Sequence, residues 1–349
     1  MEIQLIVKAL KRSLPVISLL FFMLPSTLNA QAFCALRDPA ETIQKLYPQS
    51  STYRSVVRTI DESVRQEVSA KVPPHALHFS ELGRHTLYMV FQGENPMGYV
   101  HVRSEQSEWG LVEIAWAIDM DMKIADFTFQ RCRNRYKSTI ESDSFKNQIK
   151  GKDFQQMKDL LVAEQFTLRP DALVVEPKAV PLAQVLVRCG IKTLLVTELA
   201  WQEEIVKNEL LDTARSSFSN TVDIEMVSSP VTAQVLSSLN TEFDGASPGI
   251  DRSSVSLAKV LDDSGAILGA MYRGEVNIDR KKSAIIWAVA PDGEVVNIVN
   301  RSGWQLNATK QAFESNVGKK FTTGTHCSDR TQLTTMEAVL TAQPIFAVN

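Results

Sequence analysis

The feature that most constrains how this chain can fold is that it repeats itself. A segment opening at Gly98, GYVHVRSEQSEWGLVEIAWAIDMDMKIADFTF, has a counterpart opening at Gly269, GAMYRGEVNIDRKKSAIIWAVAPDGEVVNIV. Trp116 lies eighteen residues after the first glycine and Trp287 eighteen after the second. Downstream, Phe145 precedes Gly151-Lys152-Asp153-Phe154, and Phe313 precedes Gly318-Lys319-Lys320-Phe321. Several landmarks in the same order at matched spacing argue for a duplicated domain.

The length agrees. A chain of 349 residues with 44% hydrophobic residues holds two cores of ordinary size. We place the copies at 33–199 and 200–349, after a leader at 1–32. Lys8, Lys11 and Arg12, the apolar run Leu14 to Leu24 and the small-residue exit Leu28-Asn29-Ala30-Gln31-Ala32 are the parts of a secretory signal peptide. Cleavage after Ala30 or Ala32 implies a periplasmic or secreted protein. A lipoprotein anchored at Cys34 and an uncleaved anchor are the alternatives, though Phe33 is large for the residue before a lipidated cysteine.

A net charge of -3 supplies no basic field, and no recognition motif for nucleic acid is found. Export makes Cys34, Cys132, Cys189 and Cys327 disulfide candidates with three pairings open. Cys34 with Cys132 is the preferred pair, while Cys189, inside Val185-Leu186-Val187, reads equally as a buried thiol. No cysteine–histidine spacing fits zinc.

Read in order, Asp38-Pro39 opens a helix that Pro48 stops, and Tyr53 to Ala70 shows an apolar helical face. Period-two strands follow at His85 to Phe91, Met97 to Arg103, Leu111 to Ile118 and Ile124 to Arg131, predicting an antiparallel meander. A helix near Phe154 to Ala163, a proline-rich loop and a helix from Leu182 that Gly190 ends complete the first copy. The second begins near Trp201, with a helix over Gln202 to Arg215, a strand over Thr221 to Val227 and a helix over Ser228 to Ser238. A loop follows from Asp244 to Gly249. Strands follow at Ser256 to Leu261, Ala266 to Arg273, Ser283 to Val289 and Val295 to Asn300, then a helix over Asp329 to Gln343. The fold class is α+β, two tandem antiparallel-sheet domains each with packed helices.

This arrangement resembles the FMN-binding domain of exported flavoprotein subunits in sodium-pumping NADH:quinone reductase and Rnf-type electron-transfer complexes. The resemblance rests on Leu46-Tyr47-Pro48 after the first helix, the glycine-led strands and the Phe followed by Gly-Lys. In that family a Ser/Thr-Gly-Ala-Thr motif at a helix N-terminus carries FMN through its last threonine. Here Thr323-Gly324 match, Thr325 stands at the alanine and His326 at the attachment threonine, while Asp171 to Lys178 keeps nothing of the motif. The resemblance therefore implies a flavin-related fold without standard covalent attachment.

A Thr/Gly loop entering a helix offers N–H groups to a phosphate, so Thr323, Gly324, Thr325, His326 and Lys319 form a candidate non-covalent FMN or phosphate site, aided by Lys320 and Arg330. The plainer reading is a helix capped by Ser328 or Asp329. Arg131, Arg133 and Arg135, taken as one strand face, are candidates for an anion or an acidic partner. His75, His78, His85 and His101 lack ligand spacing, and no metal is expected. Trp116 and Trp287 read as core. With no nucleophile elbow, zincin motif or Walker loop, independent catalysis is not indicated. The expected roles are two: a periplasmic redox accessory that transfers electrons or docks on a membrane respiratory complex, or a non-catalytic binding protein whose flavin site has decayed.

Overall fold

The computed structural model describes residues 35–73, 77–78, 81–227, 249–278, 281–322 and 324–347. The leader at 1–32, Cys34, His75, the helix expected over Ser228 to Ser238 and nearly all of the Asp244 to Gly249 loop lie outside them. The first helix, α1 (Pro39–Leu46), starts where the Asp38 carboxylate accepts the Glu41 N–H at 2.9 Å and Pro39 supplies a preset φ. Tyr47 ends it.

The next segment corrects the expected helix over Tyr53 to Ala70. Thr52–Ile60 is a strand, β1, paired along its whole length with β2 (Gly83–Gln92), and a helix, α2 (Glu62–Lys71), begins only after Asp61. The run Ser-Val-Val-Arg-Thr-Ile is rich in β-branched side chains, which lose rotamer freedom in a helix and fit a pleated edge. Asp61 then fixes the change of period, its carboxylate accepting the Ser63 and Val64 N–H groups at 3.0 and 3.2 Å.

The meander continues through β3 (Asn95–Ser107), β4 (Gly110–Asp119) and β5 (Ile124–Arg131), giving a five-stranded antiparallel sheet in sequential order. Short helices α3 (Lys137–Ile140), α4 (Asp143–Ile149) and α5 (Phe154–Lys158) follow, then a small ribbon, β6 (Leu161–Val162) with β7 (Thr167–Leu168). The helix expected over Phe154 to Ala163 is therefore one turn, because the chain pairs into the ribbon instead. The long helix α6 (Val180–Ala200) runs through Gly190, which does not end it. A Cβ there would lie 2.7 Å from Met157 Cε and 2.9 Å from Trp116 Cη2, so this glycine allows close packing of helix on sheet. The stretch 177–200 is long and apolar enough to cross a membrane, but 78% of its most apolar 18-residue window is buried inside the protein, where it forms the core helix.

After Trp201, α7 (Gln202–Ser217) leads to β8 (Asp223–Met226), β9 (Ile250–Leu261), β10 (Ile267–Ile278), β11 (Lys281–Val289) and β12 (Val295–Asn300), again an antiparallel sheet in sequential order. The helices α8 (Asn307–Glu314) and α9 (Arg330–Ala342) close the second half.

Both sheets are covered on both faces. Alternation along β3 sends Val100 and Val102 toward α1, and Tyr99, His101, Arg103 and Glu105 toward α6. In the second half, α7 covers one face through Val206, Leu210 and Ala214, and α9 covers the other through Met336, Val339 and Leu340. Each apolar side chain buried in these layers contributes about 1.5–3 kcal/mol.

The landmarks that repeat in the sequence share local geometry. Gly98 receives the Tyr47 hydroxyl, and Gly269 receives the Phe218 ring; each aromatic caps the helix before its sheet. Trp116 donates to Cys189 Sγ on α6 at 3.5 Å, and Trp287 donates to Thr335 Oγ1 on α9 at 3.2 Å. Gly151 N–H donates to the Ile124 carbonyl while Ile124 N–H donates to that of Lys152; Gly318, Val295 and Lys319 repeat the pair of bonds. Gly151 and Gly318 have φ of 77° and 81°, a left-handed conformation that favours glycine.

Candidate functional site

The loop of the candidate phosphate site is a tight turn. Thr322 N–H donates to Thr325 Oγ1 at 2.9 Å, Thr325 N–H returns to the Thr322 carbonyl at 3.0 Å, and Gly324 takes a φ of 85°. His326 is exposed, and Thr323 lies outside the described residues. Lys319 approaches Asn316 Oδ1 at 3.5 Å and Lys320 pairs with Asp292, so neither lysine is aimed by a contact at the turn.

The start of α9 lies beyond this turn. Asp329 Oδ1 accepts the Thr331 and Gln332 N–H groups at 2.8 and 3.0 Å, while Gln332 Oε1 accepts the Ser328 N–H at 2.9 Å. Burial would raise the Asp329 carboxyl, but bonds from Thr331 and Gln332 outweigh it and hold the group below the usual range. The positive end of the helix is thus satisfied by a carboxylate of the chain itself.

The three arginines do not share a strand face, which corrects the expected arrangement. β5 ends at Arg131, and the chain turns at buried Asn134, whose Oδ1 accepts the Tyr136 N–H at 2.8 Å. Arg131 lies 3.6 Å from Glu113, which also holds Arg37 at 2.8 Å. Arg135 lies over the Tyr136 ring, and Arg133 is exposed. Cys132 is a half-buried free thiol; Cys189 and Cys327 are also free, and burial pushes Cys189 up to about 12, which makes it inert.

Of the four histidines, two meet. His85 and His101 are buried with ring centroids 5.8 Å apart, while His78 is exposed. Thr197 gives its hydroxyl proton to the Thr193 carbonyl, so its oxygen accepts from His101 Nδ1 at 2.8 Å. His85 Nε2 donates to the Glu81 carbonyl at 2.9 Å. The other nitrogen of each ring, His85 Nδ1 and His101 Nε2, is buried without a hydrogen-bond partner. Burial, with Arg103 nearby, lowers His85 to about 3 and puts His101 well below the usual histidine range. Among the described residues no group of three or more His, Cys, Asp or Glu side chains could hold a metal ion.

Beside the histidines lies a charge cluster that the sequence did not reveal. Arg103 holds Glu81 at 2.9 Å, and Lys192 of α6 lies 3.4 Å from Glu81 and 2.9 Å from Glu105. All four are buried and their charges cancel. Burial would raise Glu81, but Arg103 and Lys192 outweigh it and lower it; at Glu105 burial wins over Lys192, and the carboxyl is raised. The only advance signal was the placing of Arg103 and Glu105 in phase with His101 along one strand.

Between the two sheets opens a cleft of about 480 Å³. Its lining includes Leu194, Ile205 and Val206, all buried, with Phe154 and Met122. Arg273 is held by Glu209 at 2.9 Å, and Arg301 by Asp212 at 2.6 Å and Asp121 at 3.8 Å. Lys282 lies 3.4 Å from Glu275 and 3.2 Å from Asp251. Glu198, near the end of α6, also lines the cleft and makes no ion pair or hydrogen bond to a described residue. Its surface is open to solvent, yet protein crowds around it; that partial desolvation, with Glu275 adding repulsion, raises its carboxyl against the pull of Lys71 and Arg273.

These groups come from α5, α6, α7, β10 and β11 and from the turns after β4 and β12, too far apart in sequence for any spacing to announce them. Comparison with protein-family models, curated proteins and solved structures finds no match.

Proposed function

We propose that the chain is an exported, duplicated protein of FMN-binding-domain type that works as a non-catalytic binding protein, with the cleft between its two sheets as the binding site. The duplication is supported by the paired aromatic-on-glycine contacts, the paired tryptophan bonds and the paired Gly-Lys backbone links. The observation that carries the choice of a binding role is the capping of α9 by Asp329. A flavin phosphate at that helix start would have to displace a carboxylate already bonded to two N–H groups, and would meet its negative charge.

A second reading keeps the redox accessory role on a membrane respiratory complex. It draws on the left-handed Gly324 turn next to Lys319 and Lys320, which could hold FMN without a covalent bond. Absorbance of the protein purified from its native compartment separates the two. The binding role predicts no flavin band, before or after denaturation, and no uptake of added FMN. Stoichiometric flavin would establish the redox reading instead.

A further inference from the structure

We infer that the cleft takes an organic cation, a primary ammonium carried on an apolar body, with Glu198 as its counter-charge. The inference rests on the binding-protein reading and names the ligand class. The lining carries carboxylates at Asp121, Asp153, Glu198, Glu209 and Glu275 against cations at Lys123, Arg273, Lys282 and Arg301. Arg273, Arg301 and Lys282 are already engaged by Glu209, by Asp212 and Asp121, and by Glu275 and Asp251. Lys123 and Asp153 cancel in the sum. What remains is one negative charge. Asp153 is occupied in capping α5, accepting the Gln156 N–H at 2.8 Å, which leaves Glu198 as the lining carboxylate with neither an ion pair nor a hydrogen bond to a described residue.

An anionic ligand would have to compete with Glu209 for Arg273 and would face Glu198 and Glu275. A bare metal ion would find a single unengaged carboxylate, short of the six or more oxygens that calcium or magnesium takes. An ammonium satisfies Glu198 with a charge-assisted hydrogen bond and brings no negative charge. Half-buried Phe154 and Met122, backed by Leu194, Ile205 and Val206, supply an apolar wall for the rest of the molecule, and about 480 Å³ is ample for a small amine with an aromatic or aliphatic body.

The test is calorimetric titration of the full chain with phenethylamine, 2-phenylethanol and 3-phenylpropionate, three probes of nearly one shape that differ in charge. The amine is expected to bind and the other two to give no heat. Glu198→Gln, at a solvent-open position where folding can be checked by circular dichroism, is expected to weaken the amine by roughly tenfold or more. Equal affinity of the amine for the wild type and for E198Q overturns the assignment of Glu198. Preferential binding of the carboxylate or the alcohol overturns the ammonium while leaving the cleft as a binding site. If no probe binds and the protein purified from its native compartment carries no small molecule by mass spectrometry, both the ligand class and the binding-cleft reading fall.

Discussion

At Gly98 the backbone φ is 149°, and a Cβ would run into the Ile118 carbonyl and the Tyr47 hydroxyl. Tyr47 donates to that same carbonyl at 2.7 Å, so the glycine is what lets the end of α1 lock onto β4. Gly98→Ala should break this contact and cost about 2–3 kcal/mol, read as a lower urea midpoint at unchanged slope. Gly269→Ala should cost a similar amount through Phe218; a neutral result at either site would show that the neighbouring aromatic can move aside. The buried histidines give a second residue-scale expectation. Both have folded-state values below the ordinary histidine value, so the unfolded chain binds more protons as pH falls below about 6.5. Their contribution to stability is complete above that pH and is lost as pH falls toward about 3 for His85. Each contributes a slope approaching about 1.4 kcal/mol per pH unit in that window. His101→Gln should remove its share of the slope while leaving that of His85, measured by chemical denaturation at a series of pH values.

At the scale of elements, the caps decide where helices begin. Asp329→Ala should cost about 1 kcal/mol by leaving the Thr331 and Gln332 N–H groups without their acceptor. Thermal denaturation of the variant checks this, and inorganic phosphate should restore part of the loss if the helix start can accept an anion at all. These same caps explain which elements could be read in advance. Asp38-Pro39 and Asp329 announce α1 and α9 because capping is a local interaction, and strands β2 to β5 are legible because turn residues such as Gly93 and Asn95 punctuate apolar, β-branched runs, even though burial on both faces blurs the alternation along β3 and β4. β1 reads as helix from its sequence because Val56, Val57 and Ile60 also fit a helical stripe, and the β-branched run together with pairing to β2 decides for strand. Gly190 was misread as a helix end because the tight approach of Trp116 and Met157 is a tertiary fact. The charge cluster around Lys192 had only the phase of Arg103 and Glu105 along one strand to announce it, and the cleft around Glu198 had nothing, since each assembles side chains from separate elements.

For the whole molecule, the two sheets keep separate cores, and much of what joins them is polar. Arg58 pairs with Glu204, Arg215 lies 3.2 Å from Glu94, and Arg301 reaches Asp121 at 3.8 Å. In each pair at least one partner is open to solvent, so each contributes only about 0–1 kcal/mol. Other contacts are buried: Trp201 sits at the junction of α6 and α7 with Nε1 donating to the Val56 carbonyl at 3.1 Å, and Ile205 of α7 packs into the core of the first half. Buried contacts of α7 with the first half and a few screened ion pairs hold the two halves in register without fusing their cores, an arrangement that would let the proposed binding cleft close. Scanning calorimetry should therefore resolve two transitions. Salt at about 1 M, where charges are screened beyond about 3 Å, should lower the one belonging to the less stable half. Combined Arg58→Ala, Arg215→Ala and Arg301→Ala substitution should reproduce the salt effect at low ionic strength, whereas Trp201→Ala should destabilise the first half by about 3–5 kcal/mol. A single transition whose calorimetric and van't Hoff enthalpies agree, unmoved by salt, would instead make the halves one cooperative unit and leave the cleft without independent lobes to close it.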